Sequence, residues 1–273
     1  MSLIVLTSAC GSPGVTTTTL GLALTWPRPV LLVEADPTGG SAILAGFLRG
    51  SVVPPDSMID LAVAQHDGQL LAALPQVTVP LPGSKAVLVP GTRSHEQARS
   101  LVSLWEPLAA VLRSLEATGQ DVLVDAGRLG LFGSPDPVLA GADLALLVTR
   151  TDLVSLAGAR SWAQTLRDRF ERAGAASSLG VLLVGQGEPF RAREVAKVLQ
   201  LPVVATLAWD PASAAVLSAG VQPATAGWWG RLAGRGAWED AALPRSLRAT
   251  RSAITGTIRT NTEQLQATTG RTL

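Results

Sequence analysis

The stretch that most constrains this chain runs from Ser2 to Leu24, SLIVLTSACGSPGVTTTTLGLAL: a short apolar β-type run, a glycine-bearing turn, then a run able to start a helix. Within it, Ala9-Cys10-Gly11-Ser12-Pro13-Gly14-Val15-Thr16 has the spacing of a phosphate-binding loop, G-x-x-x-x-G-K-S/T. Alanine stands at the first glycine and valine at the lysine.

Such a loop works in two halves. Successive backbone N–H groups and the N-terminus of the following helix form an anion-binding concavity, which depends on glycines more than on side chains. Gly11, Gly14 and Thr16 keep that half, with Ser12 and Thr17 beside them. The lysine would add a point charge at the terminal phosphates, and Val15 has none. A hydrogen bond to a charged group contributes about 1.5–3 kcal/mol and about 1.4 kcal/mol is tenfold in affinity, so the valine weakens nucleotide binding roughly ten- to a hundredfold. Pro13 also removes one N–H from the turn. Two readings of the loop stand at this point: a weakened nucleotide cradle, and an empty strand-to-helix turn.

A chain of 273 residues, 47% hydrophobic with 4 Phe and no Tyr, suits one large α/β domain or two small ones with a core of Ala, Leu and Val. The 22 basic and 21 acidic residues leave a net charge of +1, which gives no bulk electrostatic case for a nucleic-acid partner. A single cysteine excludes an internal disulfide framework and a cysteine-rich zinc site, and predicts a reducing, cytoplasmic setting. No run of 18 apolar residues is present, so no membrane-spanning helix is expected.

Along the chain, continuous apolar runs at 30–34, 86–90, 121–125, 144–149, 179–184 and 202–207 predict strands buried on both faces. Helices are expected at 16–25, in one or two short pieces across 57–74 around Gly68, from a Ser94 cap to about Thr118, and at 154–172 and 189–199. Strands alternating with helices over short connections predict an α/β fold: a doubly wound, mostly parallel sheet with helices on both faces. Residues 1–221 form that domain. Residues 222–273 add a Trp- and Arg-containing loop and a C-terminal helix, with Leu243, Leu247, Ile254, Ile258 and Leu265 along one stripe. Trp228, Trp229 and Trp238 near Arg231 and Arg235 fit either an anionic membrane surface or packing against the domain or a partner.

Asp36 follows the second strand and Asp125 ends an apolar strand, at the carboxyl edge where open α/β sheets place their ligands. With the loop they supply a phosphate cradle, a hydroxyl and carboxylates around Mg²⁺.

Over residues 2–220 the chain resembles the MinD/ParA family of P-loop ATPases, including altered-loop members of TadZ/CpaE type. That family's KGGVGKTT is matched in glycine placement by Cys10-Gly-Ser-Pro-Gly-Val-Thr-Thr17, its DADPQG by Glu34-Ala-Asp-Pro-Thr-Gly39, and its IDTPPG by Val122-Leu-Val-Asp-Ala-Gly127. Leu207-Ala-Trp-Asp-Pro211 and the later Ala219-Gly220 look like a further family segment. The resemblance implies ATP and Mg²⁺ as cofactors, Gly11, Ser12, Gly14, Val15, Thr16 and Thr17 as nucleotide-binding, Thr16 and Asp125 as Mg²⁺ holders, and Asp36 as the water-positioning carboxylate.

The departures set the expected function. Cys10 stands where the family has the lysine that crosses a dimer interface, Val15 replaces the loop lysine, and Gly185 and Gln186 lie where many members have an adenine-reading asparagine. The expectation is therefore a positioning or scaffold protein that works through protein partners or a self-dimer, with weak or absent ATP turnover. It would sit in the cytoplasm or at the inner face of the membrane. A slow Mg-dependent ATPase with an arginine in the lysine's place, and a DNA-partition protein, are the alternatives. Arg128 is either that stand-in cation or a surface arginine, and Cys10 either a reactive thiol or a small loop residue.

Overall fold

The computed structural model describes residues 2–54, 58–222 and 238–269. The strands are β1 (Leu3–Ser8), β2 (Val30–Glu34), β3 (Val79–Pro80), β4 (Ala86–Val89), β5 (Asp121–Arg128), β6 (Leu144–Arg150), β7 (Leu179–Val184) and β8 (Val203–Leu207). They form one sheet in the order β3-β4-β2-β5-β1-β6-β7-β8. Every pairing is parallel except the β3–β4 edge pair.

The central strands are buried on both faces, and their side chains alternate between two cores. Leu3 and Val5 of β1 join one apolar cluster with Val33, Val124, Leu108, Leu156 and Phe170. Ile4 and Leu6 join the other with Leu32, Leu123, Leu20, Leu22 and Leu247. The first core is closed by helices α2 (Met58–His66), α3 (Leu70–Ala73), α4 (Trp105–Ser114), α5 (Asp136–Ala140), α6 (Leu153–Arg172) and α7 (Ala192–Leu199). The second is closed by α1 (Val15–Leu24), α8 (Pro211–Ser218) and α9 (Ala242–Thr269).

Several segments differ from the sequence-based expectation. The helix expected from Ser94 is instead a 3₁₀ segment, His95–Leu101, and Ser94 makes no side-chain cap hydrogen bond. The α-helix begins only at Trp105, because Pro107 has no N–H to donate and fits only a helix's first turn. The edge strand β3, the π-helical turn Ile43–Phe47 and helices α5 and α8 were not expected. Helix α8 is announced locally by Asp210, whose carboxylate accepts from Ser213 N at 3.1 Å and Ser213 Oγ at 2.7 Å.

Helix α9 is part of the domain surface. Its Leu243, Leu247 and Ile254 are buried and Ile258 is partly so, whereas the Leu265 side chain lies outside the described residues. Leu247 presses on the bare backbone of Gly21 in α1. Arg251 donates to the Thr25 carbonyl, Ser246 Oγ accepts from Ala208 N at 3.1 Å, and Asp210 accepts from Leu243 N at 3.2 Å.

Candidate functional site

Strand β1 ends at Ser8 and α1 begins at Val15, so residues 9–14 make the strand-to-helix turn that the glycine spacing predicts. Gly11 (φ 73°), Ser12 (φ 44°) and Gly14 (φ 93°) all take left-handed backbone conformations, which explains the glycines and leaves Gly11 and Ser12 facing solvent. The first-turn N–H groups of α1 have no intrahelical acceptors and open toward this turn. The threonine run is accommodated because Thr19 Oγ1 returns a hydrogen bond to the Val15 carbonyl at 2.8 Å.

A cavity of about 500 Å³ lies over the turn, lined by Ser12, Gly14, Thr16, Thr17, Asp36 and Arg128 among others. Asp36 stands just beyond β2, its Oδ1 accepting from Thr38 N at 2.8 Å. Asp125 comes from β5, whose register aligns it with Leu6 of β1 and Glu34 of β2. It is buried, and its Oδ1 accepts from Gly127 N at 3.0 Å. Desolvation pushes its pKa up to about 6, the nearby Asp36 charge adds to the rise, and the Thr16 hydroxyl and Gly127 N–H work against it. Thr16, Asp36 and Asp125 are therefore brought together, as the sequence predicts.

The two buried aspartates of β5 are treated differently by the fold. Asp121, at the opposite end, is matched by Arg28 at 2.7 Å, Trp26 Nε1 at 2.7 Å and Ser2 N at 2.9 Å. Asp125 has no such ion pair among the described residues. A buried carboxylate without a partner cation, beside a hydroxyl, is the kind of oxygen-donor set that would suit Mg²⁺, which takes only one or two protein carboxylates at phosphate sites.

Sequence reasoning missed Glu34. It is buried at the end of β2, next to Asp125 in register, and desolvation raises its pKa to about 7. Ser41 Oγ, Ile43 N (3.3 Å) and Gly91 N (3.3 Å) donate to it and partly offset that rise, while the Asp125 charge adds to it. The available signal was a carboxylate closing an all-apolar strand.

Val15, at the lysine position, is 6% exposed and packs in the core with Ile4 and Leu6, while bordering the cavity. Cys10 is half-buried and turned onto α6, its Sγ directed at the Ser155 carbonyl (3.8 Å) and against Gly158. A second cavity of about 260 Å³ lies on the other side of the turn, between Pro13, Thr17, Leu207, Trp209 and Pro211. Trp209 stands beside Gly185 and carries the Arg150 guanidinium over its ring, 4.1 Å from the centroid. Trp228, Trp229, Arg231 and Arg235 lie outside the described residues, whereas Trp238 packs on the second core with Nε1 directed at the Ser213 carbonyl (3.5 Å).

A mostly parallel sheet whose first strand turns through glycines into a helix, under a cavity bounded by Thr16 and Asp36 with the buried Asp125 beside them, is the architecture of an α/β fold of P-loop type. Solved structures refine that class. The septum site-determining protein MinD from Pyrococcus horikoshii, complexed with Mg-ADP, superposes with a TM-score of 0.63 at 21% identity, covering 93% of this chain and 95% of that one. The Aquifex aeolicus MinC:MinD cell division complex gives 0.68 at 16% identity, covering 94% and 96%. A ParA family ATPase from Chlorobium tepidum gives 0.65 at 18% identity, covering 93% and 98%. The chain has the fold of the MinD and ParA ATPases. No protein-family model and no curated protein matches its sequence.

Proposed function

We propose that this chain is a positioning or scaffold protein on a MinD/ParA fold. It holds Mg-nucleotide weakly, turns it over slowly or not at all, and acts by associating with a protein partner or a second copy. The observation that carries the reading is the pairing of a retained cradle, in which Thr16, Asp36 and the cation-free Asp125 meet over the glycine turn, with an apolar, buried Val15 at the position of the catalytic charge. Backbone amides and the helix N-terminus bind phosphate without a lysine. Charge stabilisation of phosphoryl transfer, by contrast, is nearly all that such enzymes supply, so its loss falls on turnover first.

The Mg-ADP complex of one MinD and the MinC complex of another support nucleotide and protein association as the properties to test. Within the cradle, Thr16 and Asp125 would hold Mg²⁺ and Asp36 would orient a water. The bound metal would supply charge neutralisation at the phosphates. A membrane role would rest on 222–237, because the apolar stripe of α9 is spent on the core, and no described helix is long and apolar enough to cross a membrane. DNA partition is disfavoured by the net charge of +1.

Titration calorimetry with Mg·ATP, together with steady-state phosphate release, tests the reading. Weak binding with little release is expected. Turnover at the rate of lysine-bearing relatives, abolished in Asp36→Ala, would overturn it in favour of an ATPase.

A further inference from the structure

We propose that Arg128, at the end of β5, supplies the phosphate-binding cation of this cradle in place of the missing loop lysine. The inference rests on the nucleotide-binding reading above and names the residue that makes it work. Three observations carry it.

The first is placement. Among the residues lining the cavity over the turn, Arg128 is the one cation, and it shares that wall with Ser12, Gly14, Thr16 and Asp36. The strand register sets Arg128 opposite Ser8, the last residue before the loop. A guanidinium there approaches the cradle from the β5 side, while the lysine position, occupied by Val15, lies on α1.

The second is rigidity. The backbone on either side of Arg128 is fixed to β1, since Thr7 Oγ1 donates to the Gly127 carbonyl at 3.2 Å and Leu129 N donates to the Ser8 carbonyl at 2.8 Å. Gly127, with φ 60°, makes the bend that carries the chain past Asp36. Ordered backbone lowers the entropy of organising the side chain on a ligand.

The third is that the charge is uncommitted. Arg28, Arg150, Arg167, Arg169 and Arg259 each pair with a carboxylate, whereas Arg128 forms no ion pair among the described residues and is exposed. The other charged side chains at the site are carboxylates, Asp36 at the wall and Asp125 beside Thr16. A nucleoside di- or triphosphate brings several negative charges into that setting. A planar guanidinium matches phosphate oxygens with paired N–H donors, which is stronger and more directional than a lysine's single point charge.

The chemical class this selects is a nucleotide with at least a diphosphate tail. The test is titration calorimetry of AMP, ADP and ATP, each with Mg²⁺, on the full chain and on Arg128→Ala, Arg128→Lys and Thr16→Ala, with thermal melts confirming that each variant is folded. Wild type is expected to bind ADP and ATP more tightly than AMP. Arg128→Ala should lose roughly ten- to a hundredfold for ADP and ATP and little for AMP, with Arg128→Lys recovering part of the loss. Equal ADP and ATP affinity in wild type and Arg128→Ala, with the loss confined to Thr16→Ala, would overturn the role of Arg128 and leave the cradle standing. Wild type that binds none of the three would overturn the nucleotide-binding reading itself, and the role of Arg128 with it.

Discussion

Gly127 lies so close to the Asp36 carboxyl that a β-carbon on Gly127 would overlap it, although the two residues belong to different strand ends. The site thus depends on a missing side chain: bare backbone on the β5 side makes the niche in which the Asp36 carboxylate stands.

Replacing that glycine should therefore damage two things at once. Gly127→Ala puts a β-carbon on a backbone with φ 60° and displaces Asp36. A stability loss on the order of 1–2 kcal/mol is expected in urea titration. Any Asp36-dependent phosphate release should fall with it, whereas an alanine at the open Gly40 should leave that release unchanged.

Val15→Lys should restore the loop charge. The residue borders the cavity, so a lysine stem can stay in the apolar wall while its ammonium reaches the cradle. An affinity gain for Mg·ATP of roughly ten- to a hundredfold is expected by calorimetry. Unchanged affinity would mean that the lysine turns elsewhere.

The buried carboxylates set a pH dependence whose sign follows from burial. Glu34 (pKa about 7) and Asp125 (about 6) both lie above their unfolded values of 4.5 and 3.8. The folded state therefore holds protons that the unfolded chain has released, and these two residues make stability fall as pH rises from about 4 to about 7. Denaturant titrations at pH 5 and pH 8 should differ in that direction, by on the order of 4 kcal/mol. Glu34→Gln should flatten the dependence. Asp152 and Asp210, held low by their contacts with Ser155 and Ser213, act oppositely and cost stability only on strong acidification.

On the proposed reading, the same titration would govern metal binding. Asp125 must lose its proton before it can accept Mg²⁺, so the Mg²⁺-dependent part of nucleotide binding should strengthen as pH rises through about 6. Calorimetry at pH 5.5 and pH 7.5 checks this, and Asp125→Asn should abolish the difference.

The sheet was legible because β1, β2, β5, β6 and β7 are unbroken apolar runs, and two-sided burial leaves that composition few other uses. The convergence of Thr16, Asp36 and Asp125 was foreseeable because parallel strands bring their carboxyl ends, and the turns that follow them, to one edge of the sheet. The segment 94–104 was misread because helical spacing of apolar residues says nothing of where Pro107 allows the helix to begin. Two-residue β3 is too short to leave a periodic signal. Glu34 was passed over because its role comes from strand register with Asp125, a contact across the sheet that no local pattern encodes.

The seat of Leu247 on Gly21 makes the end of the chain a keystone for its beginning. The helix that starts at the glycine turn is roofed by residues more than two hundred positions later, so a chain cut before Ala242 would leave Leu20 and Leu22 without that roof. During synthesis, that roof is added only after α9 has emerged.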